Sequence, residues 1–216
     1  SWQDFGSKIH KFAQVIDAHN DKNLYFKLIS CTDDINEILK GDYFEDDDYI
    51  TEINDEFKNL RPVEKIMAYD VLAYLPDDIL TKVDRAAMAV SLETRVPFLD
   101  QKIAAFAWSL PINLKTRNRN NKYTSKWILR EILKKHIPSD FFNRPKMGFG
   151  MPIAAWLRGP LKCWAEELIN ENRINEDGYF NYNYVNQIWH EHQSGKKNNQ
   201  KILWNLLMFQ LWLDYQ

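Results

Sequence analysis

Apolar residues recur at helical spacing through most of this chain of 216 residues. Ile9, Phe12, Val15 and Ile16 share one face over Ser7–Ala18, and Leu24 and Leu28 share another over Asn23–Ser30. An acidic stretch from Gly41 to Asp48 then interrupts the pattern. It lacks the glycine and closing glutamate of a calcium loop and reads as a solvated linker. From Pro62, a favourable first-turn residue, Val63, Ile66, Met67, Val71, Tyr74 and Leu75 fall on one side. Pro76 is expected to stop that helix, because its ring blocks the hydrogen-bond ladder. Asp77 and Asp78 then suit the positive end of a new helix reaching about Ser91, with Ile79, Leu80, Val83, Ala87 and Val90 inward.

A further helix follows Asp100, carrying Ile103, Ala104, Phe106 and Ala107, and Pro111 closes it. Lys115–Lys122, basic and asparagine-rich, reads as a solvated loop. Thr124 or Ser125 is expected to cap a helix bearing Trp127, Ile128, Leu129, Ile132 and Leu133. After a loop at Asn143–Met151, helices resume near Pro152 and Pro160. The last, Gln200–Asp214, is apolar nearly all round, the pattern of a helix at a bundle centre. The whole predicts an all-α (mainly α) fold: an irregular multi-helix bundle of six to nine helices with little or no sheet. Residues 1–60 are read as N-terminal helices and acidic linker and 61–216 as the helical remainder, together one compact unit.

Composition narrows the partners. Hydrophobic residues make up 45% of the chain, enough for a core, and its seven glycines leave little room for glycine-rich loops. A net charge of −2 removes any global attraction to nucleic acid or anionic membrane. The basic run has a single adjoining aromatic, Tyr123, so nucleic acid is not an expected partner. No apolar run reaches the length of a membrane span. Cys31 and Cys163 lack metal-ligand spacing and read as buried free thiols, which places the protein in the reducing cytoplasm. Ser1-Trp2-Gln3-Asp4 opens without Met, which reads as an interior cut or a processed end.

Two groups of residues are chemical candidates. Asp78, Asp84, Arg85, Glu93, Arg95 and Asp100 are crowded into the otherwise apolar Tyr74–Asp100 stretch. Charges in such a segment need partners, and Asp84 with Arg85 or Glu93 with Arg95 would serve. They read first as a structural ion-pair network and otherwise as groups lining a cleft. Downstream, Lys126 opens a helix, and Lys146 stands in Arg144-Pro145-Lys146-Met147-Gly148-Phe149-Gly150-Met151-Pro152. Glycine permits close backbone approach to a ligand and proline stiffens it. Lys146 is then either a surface lysine in a turn or a point charge for phosphate oxygens. His190 and His192 are two apart, on different helix faces, and no metal site is expected.

Taken together, DDILTKVDRAAMAVSLETRVPFLD, KWILR and NRPKMGFGMPIAAWLRG resemble the C-terminal synthetase domain of glutamine-hydrolysing asparagine synthetases, over about residues 60–215. The bacterial amidotransferase-like branch often found with surface-polysaccharide genes is the nearest in look. The resemblance implies an ATP- and Mg²⁺-dependent ligase that adenylates the aspartate side chain. Ammonia released from glutamine then gives asparagine, AMP and pyrophosphate. It implies that Lys146 is the catalytic lysine, that Lys126 meets the nucleotide phosphates, and that Arg144 and Gly148 shape the Lys146 loop. Asp78, Asp84, Arg85, Glu93 and Arg95 match positions beside the cleft.

The family's Ser-Gly-Gly-x-Asp-Ser nucleotide loop and Gly-Glu-Gly-Ala-Asp-Glu segment do not occur in these 216 residues, nor does its amino-terminal cysteine. The chain is therefore expected to be the helical part of a larger enzyme whose glutaminase and α/β regions lie elsewhere. By itself it is expected to be inactive and to hold ATP weakly; a homodimer is a further expectation. The alternatives are an amidotransferase acting on another carboxylate, or a non-catalytic helical interaction module.

Overall fold

The computed structural model describes residues 12, 13, 15–32, 35–41, 57–119, 122–144 and 150–216. The acidic stretch after Gly41 and half of the first expected helix lie outside them. The Asn20 side chain accepts from the Asn23 amide at 2.7 Å and starts α1, Asp21–Ile29. A single turn, α2, spans Ile35–Ile38. α3, Pro62–Tyr69, begins where the Arg61 amide donates to the Glu64 carboxylate at 3.1 Å. That bond holds the Glu64 carboxyl below its usual value.

Pro76 does not end this helix. Asp70–Leu80 forms eleven π-helical residues that carry α3 directly into α4, Thr81–Met88. The proline ring removes a donor and crowds the preceding turn, and a wider π turn accommodates both. The Thr81 hydroxyl donates to the Pro76 carbonyl at 2.8 Å. Asp77 and Asp78 consequently sit within a helix rather than at its positive end. Asp78 pairs instead with Lys82, one turn on, and accepts from the Tyr74 hydroxyl. The lysine bond pulls the Asp78 carboxyl down, and the carboxylate raises the tyrosine.

Asp100 caps α5, Gln101–Ser109, accepting from the amides of Lys102 at 2.9 Å and Ile103 at 3.2 Å. α6, Ile112–Lys115, follows Pro111. The expected basic loop is a hairpin: β1, Thr116–Arg119, runs antiparallel to β2, Lys122–Ser125. Polar residues on both faces hid the strands, while Thr116, Tyr123 and Thr124 favour extended backbone. Thr124 and Ser125 therefore belong to a strand and do not cap α7, Trp127–Leu133. α8, Ile153–Arg158, α9, Lys162–Leu168, α10, Glu171–Asp177, α11, Tyr182–Gln193, and α12, Gln200–Leu213, complete the order. Twelve α-helices among the described residues exceed the six to nine expected, because several are only one or two turns long. The fold is mainly α.

The chain divides into two compact units, one of residues 1–58 with 150–216 and one of residues 59–149. In the first, α12 packs on α8, α9 and α11. Its Leu203, Leu206 and Leu207 are buried with Leu157, Val185 and Ile188, as the all-round apolar pattern foretold. Phe209 meets the rings of Tyr179 and Phe180 edge-on. Asn170 caps α10 by accepting from the Arg173 amide at 3.0 Å. Arg173 in turn reaches the Gln210 carbonyl at 2.8 Å and Asp214 at 2.6 Å, tying α10 to the end of α12. Asn170→Ala is expected to cost about 1 kcal/mol, read as a lower denaturation midpoint, and Asn170→Asp to restore it.

His192 is wholly buried on α11, and His190 is exposed, so the two do face apart. The His192 Nδ1 accepts from the Asn199 amide at 3.2 Å, which leaves its proton on Nε2, 3.4 Å from the Ala154 carbonyl. Burial, with Arg158 nearby, pushes its pKa down. In the unfolded chain a histidine holds a proton up to about pH 6.5. Below that value the unfolded state gains a proton that the folded state resists, so stability is full above it and falls as pH drops. The thermal midpoint is expected to decline from pH 7.5 to 5.5, with His192→Gln flattening that decline. An unchanged slope would exclude His192 as the cause.

Cys31 and Cys163 are free but exposed, not buried as expected. On α9 the inward positions fall to Ala165 and Leu168, which leaves Cys163 outside. Among the described residues no helix is long and apolar enough to cross a membrane. In the second unit Ala68, Tyr69 and Ala87 are buried, but much of the expected inward face is not. Ile79, Val83, Val71 and Ile103 are exposed, and Val90 and Phe106 reach 73% and 60%. The spacing correctly marks an apolar face, but spacing cannot tell whether the same chain covers it.

Candidate functional site

The hairpin delivers Lys126. At the end of β2 the chain turns into α7 through Lys126 itself, at φ 57° and ψ 38°. For a residue with a Cβ this left-handed conformation costs about 1–2 kcal/mol. Glycine or asparagine would relieve it, yet a lysine stands there, and strain of this kind collects where a side chain must be aimed. The Lys126 side chain is exposed and has no ion-pair partner among the described residues. Beside it, Arg117 lies over the Trp127 ring at 4.7 Å and Lys134 at 5.1 Å. Glu131, bonded to Lys134, offsets one of these charges. The surface around Lys126 is thus cationic although the chain is slightly acidic.

Arg144 ends the segment that follows Pro138. A 3₁₀ turn, Ser139–Phe141, leads to Phe142, and the Arg144 Nε donates to the Phe141 carbonyl at 3.1 Å. Its guanidinium is exposed and meets no carboxylate among the described residues. Between the two cations sits Arg130, on the second turn of α7. It donates from Nε to the Ser125 carbonyl at 3.0 Å, and from Nη1 to the Phe142 carbonyl at 3.2 Å and the Asn143 side chain at 2.9 Å. Sequence reasoning quoted Arg130 only as part of KWILR; its four-residue spacing from Lys126 was the available signal. Lys146 and Gly148 lie outside the described residues.

The crowded charges of Tyr74–Asp100 separate into three environments. A cavity of about 650 Å³ is lined by Leu80, Val83, Asp84, Thr94, Arg95, Val96, Pro97, Leu99 and Asp100. It brings Asp84 and Arg95 together, with Asp100 as a third charged wall. Glu93 pairs with Arg95 at its rim. Asp78 is held by Lys82 and Tyr74 and does not line the cavity. Arg85 is exposed and not on the lining either, and the Asp84–Arg85 pair allowed by the sequence is not formed. Neighbours in a helix point about 100° apart, so adjacent opposite charges seldom meet. Among the described residues no three His, Cys, Asp or Glu side chains gather to hold a metal ion.

The family described as asparagine synthase matches residues 3–214. The chain is 34% identical over 157 residues to asparagine synthetase [glutamine-hydrolyzing] 1 of Bacillus subtilis, covering 73% of this chain and 24% of that protein. It is 36% identical over 152 residues to a putative asparagine synthetase [glutamine-hydrolyzing] of Mycobacterium bovis, covering 70% and 22%. A more distant likeness, 27% over 128 residues, joins 58% of it to 19% of the amidase chry2 of Gibberella zeae. The chain spans about a quarter of the length of the curated relatives it matches. No solved structure matches it.

Proposed function

From the premise that this chain belongs to the asparagine synthase family, we propose that it is the helical part of an ATP-dependent amidotransferase. In that reading a carboxylate oxygen attacks the α-phosphorus of ATP and pyrophosphate leaves. Ammonia drawn from glutamine then attacks the acyl carbon, loses a proton, and displaces AMP. With aspartate as acceptor the product is asparagine. Both steps gather negative charge on oxygens, which fixed cations stabilise.

The observation that carries this reading is Lys126, an exposed ammonium at a left-handed junction, with no ion-pair partner among the described residues. With Arg144 it supplies the point charge and planar donor fork that phosphate oxygens require. Lys146 and Gly148 enter on family position alone. The cavity lined by Asp84, Asp100 and Arg95 offers carboxylates and a guanidinium of the kind that bind an amino acid's own ammonium and carboxylate, and we assign the acceptor to it. Free Cys31 and Cys163 are consistent with a cytoplasmic setting, where ATP and glutamine are at hand.

The test is ATP–pyrophosphate exchange by the complete polypeptide, which should require an acceptor and prefer aspartate. Exchange with a different carboxylate and none with aspartate would favour the second reading, an amidotransferase with another acceptor. No exchange with any carboxylate would leave the helical interaction module.

A further inference from the structure

We propose that Arg130 is a positioning residue that fixes the spacing between the Lys126 turn and the Arg144 segment; the proposal rests on the phosphate-binding reading of those two residues. One planar guanidinium joins two stretches of chain that α7 and the 3₁₀ turn separate in sequence. Its Nε holds the Ser125 carbonyl, the last peptide before Lys126, at 3.0 Å. Its Nη1 holds the Phe142 carbonyl at 3.2 Å and the Asn143 side-chain oxygen at 2.9 Å, immediately before Arg144. The three acceptors are two backbone carbonyls and an amide, and no described carboxylate neutralises the guanidinium.

Two features make this more than a cap. The Lys126 carbonyl accepts from the Arg130 amide at 3.1 Å, so the Arg130 backbone holds the strained residue while its side chain holds the Ser125 carbonyl just before it. The donors also diverge at the fixed angle of a guanidinium, so the two segments cannot slide independently while all three bonds persist. A lysine at this position keeps the charge but has no fork, and reaches one segment or the other. Phosphate contacts displaced by about 1 Å lose on the order of a hundredfold in rate, so loss of the clamp should be felt in turnover more than in stability.

The test uses ATP–pyrophosphate exchange by the complete polypeptide, with Lys146→Ala run alongside. Arg130→Lys is expected to lower the exchange rate about tenfold or more, with glutamine hydrolysis and the thermal midpoint near wild type. Asn143→Ala, which removes one of the three acceptors, should give a smaller loss that disappears in the Arg130→Lys background, because the bond is already gone. Wild-type exchange by Arg130→Lys, or additive losses in the double variant, would overturn the clamp. If the wild type shows no exchange, or Lys146→Ala keeps it, the phosphate-binding reading itself fails and the clamp falls with it. Equal loss of exchange and glutamine hydrolysis in Arg130→Lys, with a depressed midpoint, would make Arg130 merely structural and would also overturn the proposal.

Discussion

Lys146→Ala in the complete polypeptide is expected to lower amide synthesis about a hundredfold to a thousandfold while glutamine hydrolysis stays near wild type. The magnitude is that of removing one donor aimed at charge that develops in the transition state. In the sequence Lys146 follows Arg144, whose guanidinium is exposed, by two positions. In the proposed reading it takes the place of the family's catalytic lysine. Adenylation places new charge on the departing pyrophosphate, and an ammonium is the compact counter-charge for it. Hydrolysis of glutamine has no such need and, in this reading, occurs in another region. Measured as initial rates of asparagine and of glutamate release, the two activities should separate. Parallel loss of both would mean that Lys146 supports folding rather than chemistry.

Lys126→Gly is expected to move function and stability in opposite directions. Losing the ammonium removes a charged contact to phosphate, about tenfold to a hundredfold in exchange rate. The backbone gains, because glycine adopts φ 57° without the Cβ clash that Lys126 sustains. Lys126→Ala is the control, since it loses the same ammonium but keeps the clash. The glycine variant should exceed the alanine variant by about 1 kcal/mol in denaturant unfolding, with equally low exchange. Alanine and glycine variants of equal stability would mean that Lys126 carries no strain. Wild-type exchange in both would remove Lys126 from the site.

How much of this was legible in the sequence depends on what each residue's neighbours supply. α12 was legible because a helix apolar on all sides has only one place to go, and Leu203, Leu206 and Leu207 are buried there. Asp100 was legible as a helix start because its capping role is local, within three residues. Pro76 was misread because the rule that proline ends a helix assumes regular α geometry, and a π-helical stretch evades it. The hairpin was missed because Arg117, Asn118 and Arg119 are polar on both faces, so no alternation marked the strands. Helical spacing puts Val83 and Val90 inward, yet they face out. Lys126 was found by its motif, but its left-handed backbone was not, since nothing in KWILR announces φ. Arg130 needed coordinates, because its partners at Ser125, Phe142 and Asn143 are separated in sequence by the length of α7 and the turn beyond it.

The central claim is that Lys126 and Lys146 meet the phosphates of one nucleotide. An adenine nucleotide bearing an aldehyde at the end of its phosphate chain tests it most directly in the complete polypeptide. Such a reagent forms an imine only with an amine beside the phosphates, borohydride fixes it, and peptide mapping identifies the lysine. The expected result is labelling of Lys126 or Lys146, blocked by ATP. Labelling confined to lysines of the other unit, such as Lys196 or Lys201, or labelling that ATP leaves unchanged, would contradict it.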